Sequence, residues 1–160
     1  IYSVDVSTGQ LQQMTQAPVD ERYADWSPNG ESIVFSREVG PNQEELFIYS
    51  EDQGVRQLTE SGGKKIFARW IGPSVSETNS SIVSGNFSIK DISANFWKQY
   101  GRQVFTSNEI GDYDIYVMNL DGSVSDRLTD SGSSEIQPSL SPDGRSIAFS
   151  SDNDGYWDIY

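Results

Sequence analysis

Carboxylates are the only abundant groups in this chain that could do acid–base chemistry. Its 160 residues hold 24 Asp and Glu against 11 Lys and Arg, with no His and no Cys. Without His there is no Ser-His-Asp or Cys-His nucleophile, no imidazole-ligated metal and no ordinary general base near neutral pH. Without Cys, disulfides and thiolate metal sites are excluded within these residues. No Gly-x-Ser-x-Gly elbow, phosphate-cradling glycine loop or dinucleotide fingerprint occurs. Glu44 and Glu45 are adjacent, after Gly40-Pro41-Asn42-Gln43. Acid–base work needs two carboxyls at a set separation with suitable partners, so this pair reads as solvated charge in a lengthened hairpin loop. The chain reads as non-enzymatic, with no catalytic residue.

Oxygen-rich turns raise the question of a metal. Asp152-Asn153-Asp154-Gly155 has carboxylate and amide oxygens of the kind calcium takes, but lacks the alternating ligands and distal Glu of a full loop. Its counterpart Asn108-Glu109-Ile110-Gly111-Asp112 is poorer in paired carboxylates. Both read as hairpin turns whose Asx side chains bond nearby backbone. No cofactor or metal is therefore expected, calcium at the first turn being the one alternative. Two N-x-Ser triplets, at Asn79 and Asn86, are candidate glycosylation sites if the protein is secreted.

A net charge of −13 argues against nucleic acid, whose phosphates need basic patches, and against anionic membrane surfaces. No apolar run approaches the ~20 residues of a membrane-spanning helix, so no membrane insertion is expected.

The elements that must position these groups are short strands. Between Asp126 and Tyr160, apolar runs at Gln137–Leu140, Ser146–Ser150 and Trp157–Tyr160 are separated by Ser141-Pro142-Asp143-Gly144 and Asp152-Asn153-Asp154-Gly155. Pro presets φ at the second position of a turn and Gly supplies positive φ, so these runs read as antiparallel strands. Arg127-Leu128-Thr129 before them is expected to supply a fourth strand of the same blade. The pattern recurs. Ile-Tyr starts at positions 1, 48, 115 and 159, intervals of 47, 67 and 44 residues. Strands closing on Met14-Thr15, Leu58-Thr59 and Leu128-Thr129 follow, as do the runs Ile33–Ser36, Val104–Ser107 and Ile147–Ser150. Such self-similarity is the signature of a repeat architecture.

Leu-Thr, a polar stretch, Trp-Ser-Pro-[Asp/Asn]-Gly, Ile-x-Phe-Ser, [Asp/Asn]-x-x-Gly and Asp-Ile-Tyr together resemble the TolB-like propeller repeat. The matching residues are Trp26-Ser27-Pro28-Asn29-Gly30 in the first unit and Leu140-Ser141-Pro142-Asp143-Gly144 in the third. The resemblance implies an all-β fold, a β-propeller of four-stranded antiparallel blades, and protein binding at a loop face or channel mouth. It also implies a place outside the cytoplasm, periplasmic or at the cell surface. The same repeat occurs in propeller domains of prolyl-oligopeptidase-type peptidases, so the alternative is a substrate-gating propeller of a larger peptidase or glycan hydrolase.

Three units are expected, 1–47, 48–114 and 115–160, the second interrupted at about 71–100. Trp26 reads as a packed blade residue. Propellers close with 4–8 blades. Three blade-lengths that open on Ile1 rather than Met are expected to be part of a longer chain, or to be completed by further copies in an oligomer or filament. The interruption is Ser-rich yet carries Ile82, Phe87, Ile89, Phe96 and Trp97. That is too apolar for a flexible linker. Loops on rigid frames carry function more often than the frame, so an interaction surface is expected around Phe87, Phe96 and Trp97. The functional expectation is a non-catalytic scaffold for a protein partner or for further copies of itself.

Overall fold

The computed structural model describes residues 1–71, 102–123, 125–141 and 146–160. Among them are thirteen strands and no helix, in four antiparallel sheets. A hairpin of β1 (Tyr2–Val4) and β2 (Leu11–Gln13) comes first. A four-stranded sheet follows, ordered β3 (Glu21–Trp26), β4 (Ser32–Gly40), β5 (Gln43–Ser50) and β6 (Gly54–Gln57). The next comprises β7 (Lys65–Ile71), β8 (Arg102–Ser107), β9 (Asp114–Asn119) and β10 (Ser125–Arg127). The last has β11 (Glu135–Leu140), β12 (Ile147–Ser151) and β13 (Asp158–Ile159). Each sheet is a meander of neighbouring strands, the form of a propeller blade.

One assignment needs correction. Arg127 belongs to β10, which pairs with β9 and closes the second four-stranded sheet rather than joining the strands after it. The polar run ending in Leu-Thr is thus the outer strand of the preceding blade. The chain then crosses to the innermost strand of the next.

Blades are buried on both faces, which explains why β4 reads as a continuous apolar run rather than an alternating one. Ile33 and Phe35 pack with Phe47 on one face, against Ile1 and Met14 of the preceding hairpin. Val34 points the other way, into a core shared with Leu46, Leu58, Ala68, Trp70, Phe105, Tyr116 and Met118. That core welds the two four-stranded sheets together. A cross-strand aromatic pair recurs in each blade: Phe35–Phe47, Phe105–Tyr116 and Phe149–Tyr160, with ring centroids 6.0, 5.6 and 6.1 Å apart. Offset stacks of this kind add about 0.5–1.5 kcal/mol each beyond the area they bury.

Each innermost strand also carries one extra residue. Register shifts fall at Arg22/Asp25, Ile66/Arg69 and Ile136/Ser139. Inside them Tyr23, Phe67 and Gln137 take positive φ of 59°, 56° and 56°. Left-handed backbone is costly for side chains of this size. Its presence at the same place in all three blades marks it as part of the architecture.

Glu44 and Glu45 differ from expectation. Gly40 pairs directly with Gln43 through a tight turn in which Asn42 has φ 57°. Gln43 to Glu45 are therefore strand, not loop. Both carboxylates are buried, with Lys64 Nζ 3.5 Å from Glu44 and Lys65 Nζ 3.8 Å from Glu45.

Candidate functional site

A concavity lies at the end of the first four-stranded sheet where the β3–β4 and β5–β6 turns meet the Leu120-Asp121 turn. Its volume is about 820 Å³. Trp26, Tyr49 and Trp70 form its aromatic wall, and Glu31, Glu51 and Asp121 stand at its edge with Arg56. Local hydrogen bonds hold the β3–β4 turn. Ser27 N–H donates to Ser32 O at 2.8 Å, and Ser32 N–H returns a bond to Ser27 Oγ at 2.9 Å. Gly30 supplies the positive φ of 73° that the turn requires. Ser141 and Ser146 repeat the first bond at 2.9 Å and the second at 3.0 Å. The serine of the Trp-Ser-Pro-Asn-Gly motif is thus a turn-former, not a nucleophile.

Trp26 and Trp70 occupy the same register position in adjacent blades, opposite Ile33 and Gln103. Their surroundings differ. Trp70 is 8% exposed, and its indole N–H donates to the Asp25 carbonyl at 3.1 Å across the blade junction. Trp26, expected to be packed, is 49% exposed. An amphipathic ring is left open at the groove.

The edge of the groove is held negative. Asp121 accepts from Ser123 N–H at 2.8 Å and from its hydroxyl at 2.5 Å. These bonds, the hydroxyl first, lower the Asp121 carboxyl below its usual range. Fixed carboxylates beside an open indole can hold an amide, a hydroxyl or a cationic side chain.

The turn at Asp152 uses its oxygens on backbone. Asp152 Oδ1 accepts from Ser134 N–H at 2.8 Å, and Asp154 Oδ1 faces Tyr156 N–H at 3.5 Å. No group of three or more metal-ligating side chains converges among the described residues. Asn79, Asn86, Phe87, Phe96 and Trp97 lie outside the described residues. The flanking strands are described: Ile71 of β7 pairs with Arg102 of β8, at the same end of the sheets as the groove. The groove was not legible as a site, because its residues come from three turns far apart in sequence and the one motif among them, Trp26-Ser27-Pro28-Asn29-Gly30, specifies a turn rather than a binding group.

The geometry has known counterparts. TolB of Acinetobacter baumannii superposes over 99% of this chain and 33% of its own, with a TM-score of 0.70 and 22% identity. Its repeats are TolB-like β-propeller repeats. No protein-family model matches the chain. A curated relative, the protein TolB homolog of Chlorobium luteolum, is 26% identical over 149 residues, 93% of this chain and 28% of the relative. A puromycin-hydrolyzing peptidase of Mycobacterium tuberculosis also superposes, over 96% of this chain and 22% of its own, with a TM-score of 0.58 and 15% identity. This TolB-like propeller therefore spans about a third or less of the length of each.

Proposed function

We propose that this TolB-like propeller is a non-catalytic, extracytoplasmic interaction module that holds a protein partner at the groove beside Trp26. One observation carries the reading: a half-exposed indole in a concavity of about 820 Å³, on turns pinned by hydrogen bonds to a rigid double-faced sheet. Binding pockets are typically concave, aromatic-lined and furnished with a few placed polar groups. Trp is the residue type most often found at the energetic centre of protein interfaces. The likeness to TolB structures supports the architecture on which such binding would rest.

A second reading, the gating propeller of a larger hydrolase, is favoured by the likeness to the peptidase. Both readings are tested on the full-length protein in its own cells. A photo-crosslinking residue replaces Glu51 in one variant and Val39, which is exposed and does not line the groove, in another. A discrete adduct to another protein at position 51 alone is the expected result. An adduct of twice the chain mass would make the partner a second copy. No adduct at position 51, or equal adducts at both, overturns the groove assignment. Covalent labelling of the same full-length protein by a fluorophosphonate would favour the hydrolase.

A further inference from the structure

The crossing from one blade to the next repeats with the same parts, and the third instance lacks one of them. At each crossing the Thr of the Met-Thr or Leu-Thr pair accepts a backbone N–H from the third strand or the residue before it. Ile1 N donates to Thr15 at 2.7 Å, Leu46 N–H to Thr59 at 2.9 Å and Ile115 N–H to Thr129 at 2.9 Å. An ionisable residue opens the following inner strand each time: Glu21, Lys65 and Glu135.

Charge is matched at the first two crossings. Glu21 sits against Arg37, at 2.6 Å. Glu45 has Lys65 at 3.8 Å. The third places carboxylates at both of these positions instead. Asp114 holds the position of Glu45 and is 1% exposed, and Glu135 holds that of Lys65 and is 2% exposed. Arg127 Nη2 lies 2.7 Å from Asp114 Oδ2, but its other amino group is directed to Asp130 Oδ1 at 2.9 Å. Glu135 Oε1 accepts from the Ser131 and Ser151 hydroxyls. Asp114 Oδ1 and Glu135 Oε2 are buried without a donor.

We propose that the junction between the second and third blades is a proton-operated fastening: with a proton on Asp114 the third blade is held firmly, and loss of that proton, in the presence of Glu135, loosens it. A carboxylate that takes a proton from solvent gains an O–H donor and sheds a buried charge beside a like one, relieving both penalties. The groups facing Asp114 are Arg127 from β10, Asp130 from the turn after it, Glu135 from β11 and Tyr116 from β9. On Glu135, β12 adds the Ser151 hydroxyl. Burial first, then the charge of Glu135, hold the Asp114 carboxyl above its usual range against the pull of Arg127. A carboxyl raised in the folded state leaves that state binding more protons than the unfolded chain. Stability from this pair therefore falls as pH rises through the raised value.

The test is hydrogen exchange of the β11 and β12 amides in the whole chain, corrected for intrinsic rates, between about pH 5 and about pH 8. Wild type is expected to lose protection at the higher pH, roughly tenfold for each unit by which the folded value exceeds pH 5. Glu135→Gln should flatten that dependence and exceed wild type near pH 8. Glu135→Lys, which rebuilds the Glu45–Lys65 arrangement, should do the same, and Asp114→Asn serves if either fails to fold. An unchanged pH dependence in every folded variant overturns the proposal. So does full protection of wild type near pH 8 on addition of calcium chloride with no such gain in Glu135→Gln, which would make the pair a cation site.

Discussion

Lys65 is 1% exposed, with Glu45 and Glu109 3.8 and 3.4 Å from its Nζ. Glu45 in turn accepts from Gly62 N–H at 2.8 Å and from the Thr59 hydroxyl at 2.5 Å. A buried pair contributes little net of its desolvation, but removing one member strands the other. Lys65→Met should therefore cost about 3 kcal/mol of unfolding free energy. Adding Glu45→Gln should return most of it. Urea titration of the single and double variants measures both; a single variant as stable as wild type would show the ammonium to be dispensable. None of this was legible in the sequence. Gly40-Pro41-Asn42-Gln43 looked long enough to leave Glu44 and Glu45 in solvent. The tightness of the turn, and a lysine twenty residues on in another sheet, decide otherwise.

At the scale of elements, strands and turns were the legible part. Ile-x-Phe-Ser marks second strands, Asp-Ile-Tyr third strands, and serine before Pro-[Asp/Asn]-Gly the turn that returns the chain. Local chemistry specifies each, so local reading finds them. Contacts made by turns against distant backbone are silent. The β9–β10 hairpin turns at Gly122 with φ +83°, and a Cβ there would stand 2.2 Å from the Leu58 carbonyl oxygen. Both the backbone and the space require glycine. Gly122→Ala should lower stability by about 2 kcal/mol, through strain and displacement of the first blade's outer edge. A denaturation midpoint equal to wild type would refute that close approach.

The whole molecule grades in burial from its middle blades toward the last. Ile33, Val34 and Phe35 of β4 are buried, as are Gln103, Val104 and Phe105 of β8; Ile147, Ala148 and Phe149 at the same positions in β12 are half-buried or exposed. Among the described residues, the core that joins the two four-stranded sheets has no equal at the last one. Amides of β12 should then exchange faster than those of β4 and β8, by more than roughly tenfold under conditions where the chain stays folded. Uniform protection would mean that the three sheets open as one unit. The blades stay distinct for a further reason. The extra residue at Tyr23, Phe67 and Gln137 acts on the pleat as a frameshift acts on a message. Parity is inverted beyond it, so the segment that opens with an ionic residue and the segment that ends in tryptophan or leucine obey opposite in–out rules. Deleting any one of these residues would bring the strand back into a single phase, turning Trp70, for instance, away from Asp25.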